Sequence, residues 1–597
     1  MTAKHLRVLK KRTAWLFVIL TVLYVLIAGR LFYIQVLNNE EYCKLAVQLR
    51  QRQLVLTADR GTIYDRVGRQ LAADIPTCSV YVHPQKVKDK FGTAKQLADI
   101  TGLNEQSILK LLMSKSKFVY ISRELPVEVG DKVKEANLTA VGVIREPKRV
   151  HPAGSLAAHI LGFTDVDGKG LEGIERSLNS ELTGQDGYAI AEVDSYGRVI
   201  PETRRGSVPA VDGYDIVLTI DANLQHITEE ALAKTFETYK PAGATAIVMD
   251  PHTGEILALA NCPTYDPDNR KGVPAGAWRN RAVTDLYEPG STLKLMTIAA
   301  GLEEGIPATE VVATCTNGGM QIGRRRVRCS LHAPYMAGHG GVDMYGIIKH
   351  SCNIGAATIA LRLGPDKLYT YMKDFGFLDK PGSGMAGETV LGLASPDTWP
   401  AIKLANIGFG QGIAVSPLQM ACAYSVIANG GELMKPQIVR EIRTKDGRVV
   451  EAFQPKVVRR VVSEATAKQA IEMLIGCVDD GTGKSSKVNG YSIGGKTGSA
   501  QKASTTGRGY APGKYVASFM GVVPARDPKL VICVVVDEPK GSHWGATVAA
   551  PVFQEIAEKA MWYLRVPPDM PLEQDESAPV GVTTGKVKVK VGAGHTG

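Results

Sequence analysis

The sequence predicts an α+β protein: an antiparallel sheet flanked by helices, set on a mixed α/β pedestal and preceded by one apolar helix. Three observations carry that expectation. Strand, turn, strand patterns stand at both ends of an otherwise helical stretch, as "GATAIVMDPHTGEILALANCPTYDP" and "YVASFMGVVPARDPKLVICVVVDEP", the pattern of one antiparallel sheet with helices packed on it. Residues 38 to about 210 instead mix short strands, glycine turns and one amphipathic stretch near "TAKQLADITGLNEQSILKLLM". Residues 13–29, "TAWLFVILTVLYVLIAG", hold no charge.

The apolar run comes first in the chain. Seventeen residues of helix rise about 25 Å against a hydrocarbon core of about 30 Å, and "LFYIQVL" after Arg30 supplies the rest, with Arg30 able to snorkel. The run resumes after Arg30 and no A-x-A site follows Ala28 and Gly29, so a retained single-pass anchor is expected over a cleaved signal. "MTAKHLRVLKKR" carries five Lys/Arg and no acid, which keeps residues 1–12 cytoplasmic and puts the chain beyond the 13–37 anchor outside.

From 38 to 210 we expect a separate unit with no candidate reaction site, opening with a helix that runs into strands bounded by turns at Arg60-Gly61 and Val67-Gly68. From 211 to 565 the character changes: "YDIVLTID" alternates as a strand, Asp221 suits a helix N-cap, the first hairpin turns at "DPHTGE", and "TVAAPVFQEIAEKAMWYL" closes the domain as a helix. Residues 566–597, rich in Pro, Gly and acid before "KVKVKV", read as a linker and poorly ordered tail.

The 597 residues, 44% apolar and 22% charged, exclude disordered and fibrous classes and require two or three domains. The net charge of +10 is a weak pointer, because five of the positive charges lie in the first twelve residues and three in "KVKVKV", and no basic run interleaved with aromatics points to nucleic acid. Nine cysteines show neither Cys-x-x-Cys nor a paired Cys/His spacing, so neither a metal nor another cofactor is expected.

Chemistry concentrates in the second half. "YEPGSTLKLM" puts Pro289 and Gly290 before a helix-like run, with Ser291 at its start and Lys294 one turn on, on the same face. Ser-x-x-Lys is a cheap pattern, met again at Ser107/Lys110 and Ser114/Lys117. Two further motifs follow only Ser291 within its own domain: Ser351 and Asn353 in "KHSCNIG", then Lys496, Thr497, Gly498 and Ser499 on the strand "YSIGGKTGSAQ". S-x-x-K, S-x-N and K-T-G in that order are the signature of penicillin-recognising serine enzymes.

With "RGTIYDRVGRQLA" at 60–72, "KRVHPAGSLAAHILGF", "GLEGIE" and "GFGQGIAVSPLQMACAYSVIANGG", the chain resembles a class B penicillin-binding protein. That resemblance runs from the anchor to about residue 565 and leans toward septal and sporulation-type members. It implies a penicillin-binding transpeptidase fold at 211–565 on a non-catalytic pedestal of the dimerisation type at 38–210, and a membrane-bound D,D-transpeptidase of peptidoglycan synthesis. Ser291 would then be the nucleophile and Lys294 the base; Ser351 would relay the proton and Asn353 hold the peptide. Lys496, Thr497 and Ser499 would bind the substrate carboxylate, and the backbone N–H groups of Ser291 and Ser499 would form the oxyanion hole. Implied partners are stem peptides on lipid-linked or nascent glycan, β-lactams, the membrane and a polytopic glycan polymerase. Ser499 stands where threonine is commoner, and His151 where tyrosine often is.

Two alternatives stay open on the sequence: a catalytically silent scaffold and a serine β-lactamase. "ERSLN" at 175–179 has the letters of a lactamase water-activating motif but precedes Ser291. "GTGKSS" at 481–486 echoes a phosphate loop without its first glycine, and Arg324, Arg325 and Arg326 read as a solvated loop. Cys352 sits inside S-x-N, with Cys329 and Cys315 upstream. Cys329 and Cys352 are a candidate redox pair, Cys315 a lesser partner, and a small buried side chain is the plainer reading of Cys352.

Overall fold

The computed structural model describes residues 3–192, 200, 203, 205–316, 319–329, 337–504 and 509–572. The expected tail falls largely outside them. A thirty-residue helix, α1 (Ala3–Phe32), leads into a short π-helical turn and α2 (Asn39–Arg50). The run Ala3–Leu37 is long and apolar enough to cross a membrane, and none of its apolar window is buried by the rest of the chain.

Next come β1 (Ile63–Tyr64) and the long β2 (Gln70–Val82). The amphipathic stretch divides into α3 (Lys90–Thr101) and α4 (Glu105–Leu112), because Gly102 at φ 71° ends the first and the Asn104 side chain caps the second. β3 (Val119–Leu125) and β4 (Val141–Val150) both pair with β2. Val80, Val82, Leu97, Ile108 and Leu112 make a small core beneath them.

β5 (Asp215–Leu218) then enters this same sheet. It runs parallel to β1, Ile216 opposite Ile63, and antiparallel to a later strand. The residues of "RGTIYDR" hold this seam. Arg60 binds Glu175, Asn179 and Thr183; the Asp65 side chain accepts from Val67, Arg69 and Ala222 N–H groups; Arg66 pairs with Glu255. Gly61 is required because a Cβ there would meet Tyr214 O at 1.8 Å.

Asp221 caps α5 (Ala222–Tyr239), accepting from Asn223 and Leu224 N–H. β6 (Gly243–Met249) and β7 (Ile256–Cys262) form the expected first hairpin. Beyond them lie α6 (Lys294–Glu303), four short strands β8 (Ala313–Cys315), β9 (Gly319–Ile322), β10 (Arg325–Arg328) and β11 (Gly340–Val342), and α7 (Asn353–Asp374). α8 (Pro417–Ala428) is buried at every position, as a helix apolar all round must be.

β12 (Val439–Arg443) pairs with β5 and carries β13 (Val449–Ala452) at the sheet's edge. After α9 (Glu464–Asp480) come β14 (Gly494–Ala503), β15 (Tyr510–Val523), β16 (Leu530–Asp537) and the closing α10 (Ala550–Tyr563).

The second sheet has the order β7-β6-β16-β15-β14, antiparallel throughout. Its strands are buried on both faces, and alternation decides which side chain goes where. Ala244, Ala246, Val248, Ile532, Val534 and Val536 face α5 and α10; Ile247, Met249, Val531 and Cys533 face α6 and α8. β14 is the edge strand, and it is the one that bears K-T-G.

Candidate active site

Pro289 precedes a 3-10 turn, Gly290–Thr292, that feeds directly into α6. Ser291 therefore sits at the N-terminal mouth of the helix, where the aligned peptide dipoles favour negative charge. Two contacts fix the turn: Gly290 N–H donates to Gly410 O at 2.9 Å, and the buried Tyr424 hydroxyl donates to Thr292 O at 2.9 Å. Gly290 has φ 56°, a left-handed conformation that glycine adopts without steric cost.

One helical turn on, Lys294 is fully buried. Its Nζ lies 3.0 Å from Ser291 Oγ and 3.2 Å from Ser351 Oγ, and donates to Ser351 O at 2.6 Å. Burial, and after it the positive charge of Lys496, bring the Lys294 ammonium down to about 7. A lysine so held is half unprotonated near neutrality and can take a proton from the serine beside it.

Ser351 occupies the bend between a short helix and α7 with φ 58°, a conformation that costs a non-glycine residue about 1 kcal/mol or more. Cys352 is the N-cap of α7, and Asn353 opens the helix with its amide Nδ2 donating to Arg328 O at 2.8 Å.

The opposite wall is β14. Lys496 is fully buried, and burial lowers its ammonium as well. Its Nζ reaches Thr497 O at 3.2 Å and Thr482 Oγ1 at 3.4 Å. Ser499 Oγ accepts from Gly545 N–H at 2.9 Å. The wall stands close to the Ser291 turn because of Gly498, where a Cβ would meet Ser518 Oγ at 2.3 Å, Thr292 Cγ2 at 3.1 Å and Pro289 O at 3.2 Å.

The structure thus brings Ser291 and Ser351 both within hydrogen-bond reach of Lys294, and sets Lys496 close enough to act on Lys294. The decoy serines lie elsewhere. Ser107 is in the first turn of α4, its N–H taken by Asn104, and Ser114 follows that helix. Glu175 of "ERSLN" is fully buried in ion pairs with Arg60 at 2.6 Å and Arg149 at 2.6 Å, so it serves the pedestal. His151 binds Asp268 through Nδ1 and its backbone N–H. Arg324, Arg325 and Arg326 are exposed, on a β-hairpin rather than an open loop.

Two participants escaped the linear reading. Thr482, in "GTGKSS", touches both Lys496 Nζ and Thr497 Oγ1; the phosphate-loop resemblance of that stretch drew attention from it. His339 is the second. The sequence set metal aside for want of a spaced Cys/His motif, yet the ligand atoms of Cys315, Cys329, His339 and Cys352 all lie within 4.8 Å of one another. Cys329 and Cys352 sulfurs are 3.6 Å apart and unbonded.

Known proteins resemble the chain along most of its length. The penicillin binding protein transpeptidase domain matches residues 244–558, and the penicillin-binding protein dimerisation domain matches residues 55–218. Stage V sporulation protein D of Bacillus subtilis is 34% identical over 94% of this chain and 86% of its own length. Peptidoglycan D,D-transpeptidase FtsI of Escherichia coli is 30% identical over 91% of this chain and 90% of its own. Penicillin binding protein 3 of Mycobacterium tuberculosis, solved in complex with aztreonam, superposes with a TM-score of 0.68 at 29% identity, covering 87% of this chain and 99% of that one. The chain belongs to the class B penicillin-binding proteins.

Proposed function

We propose, with that membership as premise, that the chain is a serine D,D-transpeptidase that cross-links peptidoglycan stem peptides through an acyl-enzyme on Ser291 and is acylated by β-lactams. The observation that carries the reading is the buried amine of Lys294, poised between Ser291 Oγ and Ser351 Oγ.

Ser291 attacks the carbonyl of the penultimate D-alanine while Lys294 takes its proton. The oxyanion is held by the backbone N–H groups of Ser291 and Ser499. Ser351, hydrogen-bonded to the same lysine, relays the proton to the leaving amine, and the terminal D-alanine departs. Asn353 holds the peptide backbone; Lys496 supplies positive potential at the terminal carboxylate, which Thr497 and Ser499 bind. An amine of a second stem peptide then takes the acyl group. β14 is the edge of its sheet, so an extended peptide can lie along it as an added strand.

In this reading residues 1–12 are cytoplasmic, 13–37 span the membrane, 38–210 form the pedestal and 211–565 the transpeptidase, facing outward, with 566–597 a linker and tail. A polytopic glycan polymerase is the expected partner. Division or spore-wall synthesis is the expected setting, and the relative named as a sporulation protein supports the latter.

The test is labelling with fluorescent penicillin. A covalent adduct that maps to Ser291, persists for many minutes and is lost in Ser291→Ala is the expected result. Rapid turnover of the label points to a lactamase, and no adduct to a silent scaffold.

A further inference from the structure

The four side chains that converge beside Ser351 come from four separate elements. Cys315 ends β8, Cys329 follows β10, His339 precedes β11, and Cys352 caps α7. Cys315 and Cys352 are fully buried and His339 is 9% exposed. Cys329 Sγ is 3.6 Å from Cys352 Sγ and 3.8 Å from His339 Nδ1.

Those spacings discriminate between chemistries. A disulfide needs sulfurs about 2.05 Å apart. A tetrahedral zinc ion, with Zn–S of about 2.3 Å and Zn–N of about 2.0–2.1 Å, sets its ligands roughly 3.7 Å apart for two sulfurs and roughly 3.6 Å for sulfur and nitrogen. The 3.6 Å and 3.8 Å separations fit the second case, and all four ligand atoms lie within 4.8 Å of one another. The surroundings suit thiolates too. Asn353 N–H donates to Cys329 Sγ at 3.0 Å and Gly355 N–H to Cys352 Sγ at 3.5 Å, both from the first turn of α7, which runs unbroken to a kink at Gly364 and whose N-terminus favours negative charge.

We propose that Cys315, Cys329, His339 and Cys352 bind one Zn²⁺ as a closed, structural Cys3His site that clamps the S-x-N segment in its working position. Three thiols lose their protons to solvent and the neutral imidazole keeps its other proton, so the bound centre carries a net charge of −1; no electron is transferred. All four coordination positions are filled by protein, so the ion has no open position for a substrate or water. Its role is positional. Cys352 lies between Ser351 and Asn353, and the metal holds the left-handed Ser351 against Lys294 while tying Asn353 to the strand that ends at Arg328.

The proposal rests on the cluster and not on the catalytic reading, and the test separates the two. Full-length protein purified in detergent with reductant should carry about one zinc per chain by elemental mass spectrometry and native mass. After chelation, Co²⁺ should restore the thiolate-to-cobalt charge-transfer band and the intense d–d bands of a tetrahedral site, and Zn²⁺ should bleach them. Three thiols should become reactive on chelation and be protected again by Zn²⁺. Cys315→Ser and His339→Ala should fall at least tenfold in bound zinc, whereas Cys43→Ser, at an exposed thiol far along the chain, should keep it. Reduced protein with neither zinc nor cobalt bands overturns the proposal, and so does full metal retention in Cys315→Ser and His339→Ala. Recovery from cells with Cys329 and Cys352 joined as a disulfide overturns it as well. If a variant fails to fold, the cobalt spectrum of the unmodified protein still decides. Loss of penicillin labelling with zinc intact would sink the transpeptidase reading alone.

Discussion

Lowering the pH from 8 to 5.5 should slow acylation of Ser291 about thirty-fold. Lys294 is brought to about 7 by burial and by Lys496, so its neutral fraction is about nine-tenths at pH 8 and about three-hundredths at pH 5.5. The rate of proton removal from Ser291 follows that fraction, because Nζ lies 3.0 Å from Oγ and its ammonium form cannot accept. The profile should level off above pH 8. A lysine left at 10.5 would behave differently: the rate would fall about 300-fold over the same interval and would still be climbing tenfold per unit at pH 8. The assay is the second-order rate constant for fluorescent penicillin on full-length protein, read by quenched gel fluorescence at several pH values, with the intact-protein mass confirming a single adduct. A flat profile would show that Lys294 is not the base; a climb unbroken through pH 9 would show that its proton is held as in water.

The same burial predicts a stability effect of opposite character. Between about 7 and 10.5 the unfolded state binds more protons than the folded one, so stability should rise with pH across that window, and below it the fold bears the full cost of a buried ammonium. Lys294→Met should therefore abolish labelling yet raise stability at pH 6 by a few kcal/mol, measured by urea unfolding; equal or lower stability would refute this. Gly498→Ala forces a Cβ to within 2.3 Å of Ser518 Oγ, and should cut the labelling rate roughly a hundred-fold with unchanged circular dichroism. Arg60→Ala leaves Glu175 with Arg149 alone and should destabilise the protein by about 3 kcal/mol. Glu175→Gln should leave the lifetime of the penicilloyl adduct unchanged, and a longer lifetime would reopen the lactamase reading.

Much of the catalytic domain was legible because its signals are local. The turn "DPHTGE", the cap Asp221 and the Pro289-Gly290 entry each act over a few residues, and the elements appear where those residues put them. That Ser291, Lys294 and Ser351 would come together was legible for another reason: three cheap motifs in one order are jointly specific. What distinguishes Lys294 from Lys110 and Lys117 is burial, which spacing cannot express. Thr482 and His339 needed the fold. Thr482 meets Lys496 only when the end of α9 is laid against β14, and His339 joins three cysteines only after β8 to β11 fold back on α7. The shared sheet is likewise a product of pairing between distant segments, β1 with β5 and β5 with β12.

That shared sheet has a mechanical consequence. β5 accepts β1 on one side and β12 on the other, and its chain continues through Asp221 into α5, which packs on the second sheet. The two halves are therefore joined by strand hydrogen bonds and by Arg66–Glu255 and His151–Asp268, not merely by a length of chain. A load on residues 38–210 reaches the domain of Ser291 through the pairing of Ile63 with Ile216 and Tyr64 with Val217 and through those two side-chain contacts, so the spacing between the two halves is a property of the fold.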